Sequence, residues 1–512
     1  MMKHTRFLIV AALLAFPSLL PGFASAQTFE VTGWIPYWRT ATGTTDVLPH
    51  LDKLTEVNPF VYTMREDGTL VDNGSMDQEP WLSFVAAAKA KQVRVIPTIM
   101  SSSRENIHNI LSNPVSRVAL EDRIVALVNE KGFDGIDIDL ENKSSNTREH
   151  FSAFLKGLHD KMGQKWVMCT IETRIPFEDR YYGTEIPADA GIFANDLSEI
   201  NKYCDRVRLM AYDQQGIDLK LSAEAGSRLY APVGDPAWIE KVVNHMAKDI
   251  SRDKILIGVP TYGYEYAVTT YANNQYVYDI LWVFNPGYAY PIATQYGITP
   301  ERAYWGEMAF SYVPVAGTNT PPTAGSVGAL AAAAAASQIA TAQNTNLTFR
   351  YLVWPDAISV QQRIDLAKRL GIRGISVFKF DGGQDPQIWN TLAGHATKPV
   401  AIKSAVVTPS PTPSPTPAPS GSRAPIVRAI KIGSVGTDVK ILQMILNSDV
   451  ATRVTASGAG SPGKETERFA SLTLAAVKKF QVKHGIASPG KAGYGSVGPL
   501  TRAKLNSLLS SI

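Results

Sequence analysis

The chain has 512 residues, 45% of them hydrophobic, and a formal net charge of +4. That is length for two or three domains with no shortage of core. Two cysteines are too few for a fold stapled mainly by disulfides, and no apolar run approaches the roughly 20 residues that cross a bilayer.

Residues 1–26 read as an export signal. Lys3 and Arg6 precede an unbroken apolar run from Phe7 to Phe16, and Ala24-Ser25-Ala26 offers small residues for cleavage before Gln27. A secreted, wall-associated protein is expected, with a retained anchor as the alternative.

From residue 27 to about 399, short β-rich runs alternate with helical stretches. Strands are predicted at 30–35, 56–62, 93–99, 135–141, 166–172, 206–212, 255–261 and 374–380, and helices at 81–91, 115–131 and 148–162. Eight strands in this alternation predict an α/β fold, a (β/α)8 TIM barrel. The alternation lapses between 262 and about 361, which reads as an insertion subdomain between strands seven and eight. Its alanine run, Ala329 to Ala336, is expected to be a helix.

The fourth strand is the most informative. Asp134-Gly135-Ile136-Asp137-Ile138-Asp139-Leu140-Glu141 puts Asp137, Asp139 and Glu141 on one face, with Ile136, Ile138 and Leu140 behind them. Acids so crowded raise one another's pKa, so one of them holds a proton near neutral pH. Hydrolysis of a glycosidic bond needs that pairing of acid with carboxylate. A calcium loop would have glycine and polar spacers instead of Ile and Leu, so no metal site is expected. Asp134 has the opposite parity, and a structural or second-shell part is expected for it.

Cys169 and Cys204 fall in or beside predicted strands. Buried thiols are the expectation, with a disulfide as the alternative that their distance in space decides.

Residues 400–427 contain Thr408 to Pro419, with proline at every second position, which is an extended linker. The module at 428–512 holds twelve Lys/Arg against four Asp/Glu, a local +8 that leaves −4 on the first 427 residues. A basic module on an exported protein suggests an anionic polymer such as a cell wall. Nucleic acid is not expected as partner, since export and the lack of interleaved aromatics speak against it.

Over residues 27–399 the chain resembles glycoside hydrolase family 18, the chitinase-like family. Asp134 to Glu141 matches its DGxDxDxE motif, Met210-Ala211-Tyr212-Asp213 its MxYD, and Gly258-Val259-Pro260-Thr261-Tyr262-Gly263 its GxPxYG. Trp354-Pro355-Asp356 with Ser359 is similar to the segment before its last barrel helix. The resemblance implies a substrate-assisted reaction in which the sugar's 2-acetamido oxygen attacks the anomeric carbon, with no cofactor. Glu141 would act as general acid and then base, Asp139 would orient the acetamido group, and Asp137 would tune Asp139 by sharing its proton. Tyr212 would hold the acetamido oxygen in line, and Asp213 would help bind the sugar. Trp34, Tyr37 and Trp38 after the first strand, and Glu172 and Arg174 at the end of the fifth, are candidate sugar contacts.

Three departures from the family pattern point away from long crystalline chitin. Phe378 stands where many members have tryptophan, Ser101-Ser102-Ser103 replaces SxGG, and Leu140 and Asn142 flank the acid in place of aromatics.

Residues 430–509 resemble the peptidoglycan-binding domain family, a three-helix fold. Gly433 to Gln443 matches its GsxGxdVxxLQ opening, Thr473 to Gln481 its TxxAVxxFQ and Gly495 to Thr501 its GxVGPxT. Thr437 and Thr473 are expected as helix N-caps. The combined expectation is a monomeric glycosidase acting beside N-acetylglucosamine, on peptidoglycan-type glycan. The alternatives are a chitinase or chitooligosaccharide hydrolase, and a glycan-binding protein on an inactive barrel.

Overall fold

The computed structural model describes residues 28–271, 275–314, 338–343, 346–397, 426, 428–491 and 493–509. The predicted signal, the alanine run and nearly all of the linker lie outside the described residues. Two compact units divide between residues 406 and 407.

The first unit is a closed barrel. In chain order its strands are β1 (Glu30–Pro36), β2 (Glu56–Met64), β3 (Leu70–Asp72), β4 (Arg94–Val95), β5 (Thr98–Ser101), β6 (Gly135–Leu140), β7 (Trp166–Ile171), β8 (Arg206–Leu209) and β9 (Ile255–Pro260). After the insertion, β15 (Gly374–Phe378) completes it. Parallel pairing runs β2-β5-β6-β7-β8-β9-β15-β1, and β1 pairs with β2 to close the ring. The short β3 folds back antiparallel on β2. The predicted third strand is split into β4 and β5 at Ile96-Pro97, where proline has no N–H to donate to a ladder. The predicted sixth strand stops at Leu209, so Tyr212 and Asp213 belong to the loop above it.

Helices cover the outside. The one at Arg148–Met162 buries Phe151, Phe154, Leu155 and Leu158, the stripe expected from spacing alone. Asp356 caps the last barrel helix, Ala357–Arg369, by accepting the Ser359 N–H at 3.0 Å. The insertion falls between β9 and β15 as expected. It is a five-stranded antiparallel sheet ordered β11 (Gln275–Phe284), β10 (Gly263–Tyr271), β14 (Leu347–Trp354), β13 (Met308–Tyr312) and β12 (Glu301–Arg302).

The lower barrel is filled by charge. Glu30 pairs with Arg94 at 2.9 Å and with Arg206 at 2.7 Å, Arg94 reaches Glu56 at 2.9 Å, and Glu56 accepts from Arg208. Arg208 then pairs with Asp137 at 2.7 Å, carrying the ladder up to the acidic strand. These groups face inward from five strands, β1, β2, β4, β6 and β8, and closing the ring is what brings them together.

The cysteines are a correction to the thiol expectation. Adjacent parallel strands place Cys169 of β7 and Cys204, just before β8, with Cα atoms 5.9 Å apart, and the two form a disulfide. Closing a loop of 35 residues stabilises by about 2 to 4 kcal/mol through the unfolded chain. Urea unfolding of the Cys169→Ala, Cys204→Ala double variant is expected to show that loss; an unchanged midpoint would contradict it.

The second unit contains helices Thr437–Asn447, Ser471–Lys483 and Pro499–Asn506 around Leu442, Leu446, Val477, Phe480 and Leu505. Neither expected threonine cap is one. The first helix begins on Thr437 itself with Gly436 before it, and the second begins two residues ahead of Thr473. Thr473 is buried and accepts a hydrogen bond from Gln443 Nε2 at 2.9 Å. Gln481 in turn donates to Thr501 Oγ1 at 3.0 Å and accepts the Gly495 N–H at 2.7 Å. The glutamines of the LQ and FQ motifs are thus internal struts between segments. Among the described residues of the chain, no helix is long and apolar enough to cross a membrane.

Candidate active site

Strand β6 is buried along its whole length because it faces helices on one side and the barrel lumen on the other. Register aligns Asp137 with Thr98 of β5 and Met168 of β7, so the acids rise through the centre in two levels. At the lower level Asp137 accepts from Thr98 Oγ1 at 2.8 Å, Thr170 Oγ1 at 3.0 Å and Trp34 Nε1 at 3.2 Å, besides its Arg208 ion pair. These donors take up both oxygens. The shared proton expected between Asp137 and Asp139 is therefore not a hydrogen bond of this structure.

Asp139, one level up, is 4% exposed, and its Oδ1 has no hydrogen-bond partner among the described residues. Burial holds its carboxyl well above the usual range, Glu141 and Asp137 add to this, and Lys143 opposes it. Glu141 is half-buried at the rim. Its carboxyl is raised by burial and by Glu172, against the pull of Lys143. Lys143 is itself held below its ordinary value by burial, although Glu172 lies 3.7 Å away.

The sign of one consequence is fixed. Since Asp139 is raised in the fold, the native state binds more protons than the unfolded chain above the ordinary carboxylate pKa, and stability falls as pH rises through the raised value. Urea unfolding between about pH 4 and pH 8 is expected to show this decline, with a shallower slope in Asp139→Asn. An identical slope in the variant would contradict the placement of that proton.

Facing the acids, Tyr212 is buried and stacks on Phe378 with centroids 5.7 Å apart and planes at 24°. Its ring passes over Gly258, where a Cβ would meet Tyr212 Cε1 at 2.5 Å, which explains glycine in the β9 motif. Burial and the neighbouring Asp139 raise the phenol well above its ordinary value, so it remains a hydroxyl donor. Asp213, at φ +58°, accepts from Tyr262 at 2.5 Å and Tyr264 at 2.6 Å, and burial raises its carboxyl despite these bonds.

Trp34, Asp139, Glu141, Tyr212, Asp213 and Phe378 line one cavity of about 150 Å³. Trp34 is in the floor, inside β1, not after it. Tyr37 and Trp38 stand outside this cavity on the rim, 39% and 50% exposed, with Trp38 edge-on to Phe60 at 5.8 Å. Glu172 and Arg174 line a neighbouring cleft. Asp134 lies at the far end of β6 and accepts the Val95 N–H at 2.8 Å, a purely structural contact.

Phe60, Thr170, Met210 and Tyr262 complete the cavity, and sequence reasoning did not select them as site residues. Met210 and Tyr262 carried a signal, as specified positions of the MxYD and GxPxYG matches; Phe60 and Thr170 had only their places in strands β2 and β7. Among the described residues, no cluster of three His, Cys, Asp or Glu is arranged to hold a metal ion.

The model of the family described as glycosyl hydrolases family 18 matches residues 31–383, most of the barrel unit. The chain belongs to that family. It is therefore a chitinase-like glycosidase, and the acids of β6 stand where a (β/α)8 enzyme keeps its chemistry, at the C-terminal ends of the strands. The uncharacterized glycosylase YvbX of Bacillus subtilis is 22% identical over 272 residues, 51% of this chain and 73% of that one. The fold is shared with the spore cortex-lytic enzyme SleL of Bacillus cereus at TM-score 0.53 and 16% identity, covering 73% of this chain and 75% of that one. A chitinase from Chromobacterium violaceum is similar at TM-score 0.53 and 16% identity, covering 72% and 98%.

Proposed function

We propose that the protein is an exported, retaining glycosidase that cleaves β-1,4 bonds beside N-acetylglucosamine, and that its target is peptidoglycan-type glycan. The observation that carries the chemistry is Asp139, buried and raised, with a partnerless Oδ1, between the ionic ladder below and Glu141 above. A carboxyl in that position accepts a hydrogen bond from the acetamido N–H, and its ionised form offsets the positive charge that grows as the acetamido oxygen attacks C1. Tyr212, kept as a donor, holds that oxygen in line, and the aromatic floor of Trp34 and Phe378 supports the ring. Glu141, raised by burial, protonates the leaving oxygen, then takes a proton from water to open the oxazolinium intermediate.

The wall address rests on three features. The N-terminal segment has the pattern of an export signal, and a disulfide suits an oxidising compartment. The basic C-terminal module, similar in its motifs to peptidoglycan-binding domains, would raise the enzyme's effective concentration on a wall polymer. Reducing ends released from sacculi by the wild type, and not by Glu141→Gln, are the expected result. Activity confined to chitooligosaccharides would replace the wall glycan with chitin fragments as substrate. Equal release by wild type and variant would remove the enzymatic assignment of Glu141.

A further inference from the structure

A cleft of about 280 Å³ opens beside the catalytic cavity along the segment that follows β7, and its lining includes Lys143, Glu172, Arg174, Arg180, Phe193 and Asn195. It begins one residue from the proton donor, because Glu172 Oε1 accepts the Asn142 N–H at 3.0 Å. The charged groups that line the catalytic cavity are carboxylates, whereas this cleft presents cations. Lys143 is engaged by Glu172 and by the Leu140 carbonyl. The two guanidinium groups are different: among the described residues neither Arg174 nor Arg180 forms an ion pair. Of the acids nearby, Asp196 is taken by Arg148 at 2.8 Å and Asp179 by Lys220 and Lys241 at 3.4 Å each, while Asp249 acts on Arg174 without forming an ion pair with it.

Arg174 is positioned without being neutralised. Its guanidinium lies 3.7 Å from the Phe193 ring centroid, Phe193 stacks on Phe177, and an N–H donates to the Asn195 carbonyl at 2.5 Å. Burial and Arg148 lower its pKa to about 10, so it is still a cation at neutral pH. Asn195, 5% exposed, donates to Glu172 Oε2 at 2.7 Å and keeps a buried Oδ1 with no hydrogen-bond partner. A half-buried cation and an orphaned acceptor side by side are costly unless a ligand supplies the anion and the donor.

We propose that this cleft is a carboxylate-recognising subsite for the sugar next to N-acetylglucosamine. Arg174 and Arg180 take the carboxylate of an O-lactyl substituent, and Asn195 Oδ1 accepts an N–H or O–H of the same sugar. Glu172 faces the same cleft, but Lys143, Asn142 and Asn195 engage its oxygens. The inference rests on the wall-glycan reading and gives it a physical basis, since chitin carries no carboxylate.

The test compares peptide-free wall glycan strands as the free acid and as the methyl ester, with chitooligosaccharide as reference. The full-length wild type is expected to show a KM about tenfold higher on the ester, and that ratio is expected to fall to about one in Arg174→Gln and in Arg180→Gln. Arg180 is exposed, so its variant carries the test if Arg174→Gln folds poorly. Equal KM on acid and ester in the wild type, or a ratio that survives both substitutions, overturns the subsite alone. Hydrolysis of chitooligosaccharide with no cleavage of either strand preparation overturns the wall-glycan reading and the subsite with it.

Discussion

Glu141→Gln is expected to lower kcat on N-acetylated chitooligosaccharides by about a thousandfold while leaving the urea midpoint near that of the wild type. Glutamine keeps the size of the side chain and cannot give up a proton, so the leaving alkoxide departs without help; general acid catalysis of this kind contributes about 10²–10⁴. Stability should change little because the half-buried Glu141 side chain makes no ion pair within the described structure. The wild-type pH profile follows from the raised carboxyl. Since the acid form is the active one, kcat/KM declines as pH rises through Glu141's value, which burial and Glu172 place above that of an ordinary glutamate. An activity limb at the ordinary glutamate position, or a variant within tenfold of wild type, would assign the proton to another group.

The second large effect is on stability. Arg208→Met is expected to cost about 3 to 5 kcal/mol in urea unfolding, because it strips the guanidinium from two carboxylates that are 0% exposed, Glu56 and Asp137. Arg94 still reaches Glu56, and Thr98, Thr170 and Trp34 still donate to Asp137, but none of the latter three carries charge. Removing the guanidinium also changes the field that Asp137 exerts on Asp139, so kcat of the folded fraction falls too. A variant as stable as the wild type would contradict the ion pairs assigned to Arg208.

The acids of β6 were legible because a strand repeats every two residues, and isoleucine at the alternate positions leaves one reading of the face. The barrel was legible for the same reason, repeated eight times. The ladder was not. Glu30, Glu56, Arg94 and the Arg206/Arg208 pair sit in four separate apolar runs, and their partners are up to 176 residues away. Only ring closure sets which charge meets which. The split at Pro97 was visible in the residue itself, but the apolar pattern on both sides outweighed it. Thr473 shows the opposite error: a threonine before a helical run resembles a cap, yet Gln443 holds it inside the second unit's core. The cysteine pair depended on β7 and β8 being neighbours, which is a fact of topology and not of spacing. Strand position alone marks Arg174 as a candidate sugar contact, but its lack of an ion pair among the described residues depends on Asp196 pairing with Arg148, which is a matter of tertiary structure.

The most direct test of the central claim is the anomeric form of the first product, followed by proton NMR during hydrolysis of an N-acetylated chitooligosaccharide by the full-length protein. Attack by the substrate's acetamido oxygen, followed by water from the opposite face, the one the leaving group vacated, with Glu141 as base, predicts the β-anomer first and slow mutarotation to the α form. First appearance of the α-anomer would mean that water attacks directly, and would contradict the roles given to Asp139, Tyr212 and Glu141 together.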